Sequence, residues 1–211
     1  MSDPRPCRRR PVRSRMPSDP SNLDDPGALE HLQIIRETME RSSAFTAVPG
    51  WGFVATGVTA LIAAPIALRQ TTADGWLAAW LIEALVAVTV VLVTMHQKAA
   101  RLGTHLLSIS GRRLFIGALP ALAAGGLLTI ALMWSGTVHL IPGVWLVLYG
   151  VAVMQAGAFS VRTVPAMGAA FVACGAIALP LPWFWANITL AAGFGLVHIV
   201  FGILIARRHG G

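Results

Sequence analysis

Negative charge is scarce in this chain, and its few acids are confined to one region. Nine of the 211 residues are Asp or Glu, and beyond residue 44 only Asp74 and Glu83 carry negative charge. That is too few to solvate a soluble domain of this length. Lysine occurs once, as Lys98, and tyrosine once, as Tyr149. The two cysteines, Cys7 and Cys174, lie in a polar tail and in the middle of an apolar run. A structural disulfide between them would pull the tail into that run, so none is expected. The chain has no Walker sequence and hence no P-loop ATPase activity of its own. No Cys–His spacing fits zinc. A haem would need axial ligands on facing helices, and His198 is the only histidine inside an apolar run. No cofactor and no metal are therefore expected, and no enzymatic activity.

Apolar residues make up 55% of the chain, charged ones only 12%, and the mean hydropathy is +0.69. Six apolar runs stand out: Phe45–Leu68, Trp76–Met95, Leu114–Trp134, Leu140–Phe159, Val164–Leu181 and Trp183–Ala206. Each approaches or exceeds the roughly 20 residues that a helix needs to cross a hydrocarbon core of about 30 Å. The expected fold is all-α, a polytopic membrane protein with six transmembrane helices in residues 45–206. Trp76, Trp134, Trp183 and Trp185 fall at run ends, where an indole can bury its ring and keep its N–H wet.

Residues 1–26 hold six of the thirteen prolines and six arginines. They read as a disordered basic tail. With no aromatic residue between the arginines to stack on bases, no nucleic acid is expected as a partner. Nor does the tail carry the apolar stretch of a cleavable signal peptide. Met16, just before Pro17, is an alternative start that would drop all six arginines. Asp25-Pro26 then opens a short amphipathic helix over 27–42, with Leu29, Leu32, Ile35 and Met39 on one face. Its expected place is on the membrane surface or against the bundle.

The loops set the orientation. Residues 96–113 carry Lys98, Arg101, Arg112 and Arg113 without an acid; Arg162 lies in the fourth loop, and Arg207 and Arg208 follow the last run. The alternate loops hold only Arg69, balanced by Asp74. By the positive-inside rule the basic side is cytoplasmic, together with the N-terminal tail and a short C-terminal tail at 207–211. Arginine in place of lysine, with abundant Ala and Gly, suggests a GC-rich bacterial genome and hence a bacterial inner membrane as the expected location.

Glycines recur every seven residues: Gly50 and Gly57; Gly143, Gly150 and Gly157; Gly168 and Gly175; Gly195 and Gly202. A seven-residue step returns to one helix face. Small residues there let two backbones approach, which drives helix association in lipid. A weaker pattern likens Val48-Pro49-Gly50-Trp51-Gly52 to Val164-Pro165-Ala166-Met167-Gly168. As a repeat it predicts three tandem helical hairpins. Chance competes with it, because Ala, Gly and Val match easily.

Ionisable groups inside a bilayer are costly, so they mark candidate sites. Glu83 is flanked on its face by Ala79 and Ala87, and His198 lies on the Gly195–Gly202 stripe; both should face the bundle. Tyr149 and Gln155 in the fourth run complete the candidate polar site, and Asn187 near the start of the sixth is a further hydrogen-bonder. Glu83 and His198 are expected to differ in depth by about 6 Å, so that a bridging water would be needed to join them. For Glu83, functional and structural roles weigh equally. For His198 the structural role leads.

The stretches Phe45-Thr46-Ala47-Val48-Pro49-Gly50-Trp51-Gly52, Leu146-Val147-Leu148-Tyr149-Gly150, Ala158-Phe159-Ser160-Val161-Arg162 and His198-Ile199-Val200-Phe201-Gly202 resemble a group of uncharacterised bacterial inner-membrane proteins. The resemblance covers most of residues 30–210 and implies the same six-helix topology, with no activity attached. His198 and Gly202 are also similar to the last helix of rhomboid proteases. Their nucleophile motif is missing, however, since the fourth run reads Tyr149-Gly150-Val151-Ala152. Two functions remain: an accessory or regulatory subunit, partnered by lipid and by another protein or further copies, or a small-solute or proton-linked transporter with Glu83 and His198 near its path.

Overall fold

The computed structural model describes residues 31–32, 34–35, 48–103, 109–158 and 160–209. The expected basic tail lies outside the described residues. So does most of the helix expected at 27–42, of which His31, Leu32, Ile34 and Ile35 are helical and exposed.

Among the described residues from 48 on, six helices form the fold: α1 Gly50–Leu68, α2 Ala73–Arg101, α3 Ile109–Trp134, α4 Ile141–Gly157, α5 Thr163–Ala178 and α6 Trp183–Arg208. Five are long and apolar enough to cross a membrane, and α5 is the short exception. Its 16 residues reach only about 24 Å at 1.5 Å per residue.

The helix limits have local causes. Pro49 lacks an N–H and precedes the first turn of α1, a position proline tolerates. Thr72 caps α2, its hydroxyl accepting from the Gly75 N–H at 3.1 Å. At the end of α3, Gly136 takes φ +72°. There the Thr137 N–H donates to the Leu132 carbonyl and the Gly136 N–H to the Met133 carbonyl. This paired arrangement needs a left-handed residue, and Gly136, two residues past Trp134, supplies it where α3 ends. At the basic end the apolar runs underestimate the helices: α2 continues through Arg101, and the tail expected from 207 stays helical through His209.

Four helices make the centre. α1 packs antiparallel on α6, α4 packs antiparallel on α5, and α6 joins the two pairs. α2 flanks the centre along α1, and α3 flanks it along α4. The glycine stripes are the two seams. A methyl carbon on Gly150 would lie 2.6 Å from the Gly168 carbonyl oxygen, and one on Gly175 would lie 2.6 Å from the Val147 nitrogen. Between α1 and α6, a methyl on Gly57 would lie 2.5 Å from the Gly195 carbonyl oxygen, and one on Gly202 would lie 2.8 Å from that of Gly50. No carbon atom fits at such distances, so these positions require glycine if the backbones are to touch. The glycine seams join α1 to α6 and α4 to α5, while α1 also packs on α2 and α3 on α4, two of the three pairings that tandem hairpins would make.

Around the seams, Ile141, Leu146, Met167, Phe171, Leu190 and Ile205 are wholly buried. α2 buries a single stripe, Trp76, Trp80, Glu83, Met95 and Lys98 among it, and turns Leu81, Ile82, Leu85, Val88 and Val93 outward. An exposed apolar face of that kind suits lipid.

Candidate functional site

His198 stands where α1, α4, α5 and α6 meet. The turn before it, Ala191–Val197, is π-helical, wider than the α-helix on either side. Such turns often mark functional positions. Gly193 and Gly195 lie within it, where a methyl group would meet the ends of the Leu146 and Leu61 side chains. The imidazole is 2% exposed. Phe53 of α1, Phe171 of α5, Phe194 of α6 and Tyr149 of α4 surround it, with ring centroids 5.0–6.2 Å away.

The hydrogen bonds fix the tautomer. His198 Nδ1 lies 2.8 Å from the Phe194 carbonyl oxygen, which can only accept, so Nδ1 carries a proton. In the neutral ring Nε2 then presents a lone pair, and Tyr149 Oη donates to it at 2.9 Å. Both ring nitrogens are engaged. The proton chain runs from Tyr149 through His198 to a backbone carbonyl, which has no proton to pass on. A relay cannot continue past that point.

Glu83 forms a second centre, at the α1–α2 contact. Its Oε1 lies 2.8 Å from Thr59 Oγ1, and that hydroxyl lies 2.9 Å from the Thr56 carbonyl. Thr59 has one proton and two acceptors within reach. Both contacts are satisfied together when Glu83 is a neutral acid and donates to Thr59, leaving the threonine proton to Thr56. On α1, His198 meets Phe53 and Glu83 meets Thr59, positions separated by roughly 9 Å along the axis. The structure thus brings Tyr149 to His198, but it gives Glu83 a threonine partner of its own. Gln155 joins neither centre and lies exposed on α4.

A third centre joins the helix ends opposite the basic residues. Asn187 Oδ1 accepts from the indoles of Trp76 at 2.9 Å and Trp80 at 3.1 Å. Trp76 stacks on Trp145 at 5.9 Å, and the Trp145 indole donates to Thr129 Oγ1 at 2.7 Å. Four helices are thereby cross-linked through polar groups inside an apolar setting, where each unmade bond would be costly. Trp76 was expected at the interface but is 2% exposed and belongs to the interior, whereas Trp134 is 87% exposed. The cause is Asn187, which supplies inside the bundle the acceptor that water would supply at its edge. Nearby, a shallow cleft of about 320 Å³ opens between the loops, lined by Gln70, Thr72, His139 and Trp183 among others.

Lys98 is the residue that sequence reasoning placed in a loop. It is buried in the last turn of α2, and its Nζ donates to the Val48 carbonyl at 3.0 Å. That carbonyl lies just before α1, so the lysine ties the end of one helix to the start of another. The signal was available, because continuing the Trp76–Trp80–Glu83 stripe in steps of three and four arrives at Lys98.

No family model matches this chain, and neither a curated protein nor a solved structure matches it.

Proposed function

We propose that the chain is a non-enzymatic six-helix subunit of the bacterial inner membrane, with both termini cytoplasmic, that supports or regulates another membrane protein or assembles with copies of itself. The observation that carries this reading is where the buried polar groups end. Tyr149 and His198 form a chain that terminates on the Phe194 carbonyl, and Glu83 is held by a threonine whose own contact is the Thr56 carbonyl. Polar groups bonded to a neighbouring helix or its backbone in this way help to specify how helices fit.

Sixth-crossing support comes from the α4–α5 seam. Gly157 faces Pro165 at one end and Gly143 faces Leu179 at the other, so α5 runs the length of α4. If α4 crosses the membrane, this packing supports a crossing by α5 beside it, with Leu179–Leu181 extending its reach. Basic residues at one end and their near absence at the other support the orientation.

One observation favours transport as a second reading. A π-helical turn beside a buried histidine is a place where a helix can change register. Flux separates the two. In proteoliposomes the scaffold reading expects proton and small-solute permeability equal to that of empty vesicles. Permeability well above that level, lost in Glu83→Gln or His198→Phe, would establish transport instead.

A further inference from the structure

We infer that the basic end of the bundle is a binding surface for anionic phospholipid headgroups, centred on the entry of α1. This goes beyond the scaffold reading and does not depend on it. The antiparallel packing gathers the charge. Gly50, the first residue of α1, lies against the backbone of Ala206, which sets Arg207 and Arg208 beside that entry. Lys98 bonds to the Val48 carbonyl and so brings the end of α2, with Arg101, to the same place. Arg101, Arg207 and Arg208 are exposed. Between residues 45 and 211 the only acids are Asp74, in the first turn of α2 at the far end, and Glu83, at mid-helix. Among the described residues no Asp or Glu lies at this end beside the arginines.

Lipid rather than a soluble anion is indicated by what adjoins the charge. Trp51, in the first turn of α1, is 62% exposed. An exposed indole in the turn next to Arg101, Arg207 and Arg208 suits headgroup depth, and the outward Leu92 and Val93 of α2 continue the surface toward acyl chains. Arginine also pairs with phosphate through two parallel N–H donors, which a zwitterionic headgroup neutralises in part and an anionic one does not.

The test compares lipids retained by the full-length protein in native mass spectrometry, with phosphatidylglycerol against phosphatidylcholine of equal chain length. Wild type should retain phosphatidylglycerol preferentially. In Arg207→Gln/Arg208→Gln the preference should fall by roughly 30-fold, the effect of two surface arginines, whereas Arg207→Lys/Arg208→Lys should keep most of it. Arg69→Gln, at the opposite end, should match wild type, and because all variants keep the N-terminal arginines their contribution cancels. Equal retention of both lipids would overturn the inference. So would an undiminished preference in the double Gln variant, or a preference for soluble polyglutamate that phosphatidylglycerol vesicles fail to compete.

Discussion

Replacing Gly150 by alanine adds one methyl group at the middle of the α4–α5 seam. It would lie 2.6 Å from the Gly168 carbonyl oxygen and 2.8 Å from the Val172 nitrogen, both backbone atoms that no side-chain rotation can move. Restoring an ordinary contact of 3.4 Å requires the helices to part by roughly 0.8 Å. That shift also loosens the flanking contacts at Gly143 and Gly157. Overpacking of this kind costs about 1–3 kcal/mol, and the better helix propensity of alanine returns up to about 1 kcal/mol. The net expectation is a loss of about 1–2 kcal/mol. Gly126→Ala is the matched control, since nothing lies within 4 Å of a methyl there. It should be neutral or gain up to about 1 kcal/mol from propensity alone. Reversible unfolding by sodium dodecyl sulfate in mixed micelles reads both. If the two variants agree within about 0.5 kcal/mol, the glycine stripe is not a close backbone contact and the seam argument fails.

Tyr149→Phe leaves His198 Nε2 buried without a donor and should cost about 1–3 kcal/mol; ¹⁵N spectra of wild type should show the Nδ1–H tautomer, and the Nε2–H form would refute the assignment. Asn187→Leu strands two buried indole N–H groups, so it should destabilise the fold by about 2 kcal/mol or more and redden or shift the tryptophan emission; an unchanged midpoint would show that Trp76 and Trp80 find other acceptors. Glu83→Gln keeps a donor for Thr59 and should cost under about 1 kcal/mol. In infrared difference spectra at neutral pH, wild type should show the C=O band of a protonated acid that this variant lacks; a carboxylate band already present would contradict the hydrogen-bond count at Thr59.

The helices and their seams were legible because two periodicities are written plainly in the chain. Apolar runs of bilayer length give the helices, and the seven-residue glycine step gives the faces along which α1 meets α6 and α4 meets α5. What a stripe cannot name is its partner: Gly57 could have met any small-residue face, and only the folded chain pairs it with Gly195. The candidate site was legible in part. His198 and Tyr149 were both singled out for polarity inside apolar runs, and they meet. Glu83 was identified as facing inward, yet its threonine partner was not, because threonine satisfies itself on its own helix so often that it carries little signal. Trp76 was misplaced because tryptophan at the end of an apolar run fits a membrane interface and a buried cluster equally well. Lys98 was misplaced because the apolar run ends at Met95 while the helix does not.

The claim that matters most is that the centre of the bundle is closed, and single cysteines test it directly. With Cys7 and Cys174 replaced by serine and alanine, cysteine would be introduced one position at a time at Ala60, Met167 and Ile205, all buried in the core, and at Gly136 in the exposed α3–α4 turn. A membrane-impermeant thiol reagent should modify the Gly136 cysteine in intact cells and leave the three interior ones untouched both in intact cells and in inverted membrane vesicles. Rapid modification at position 60 or 167 would reveal a water-filled path through the helices and contradict the account.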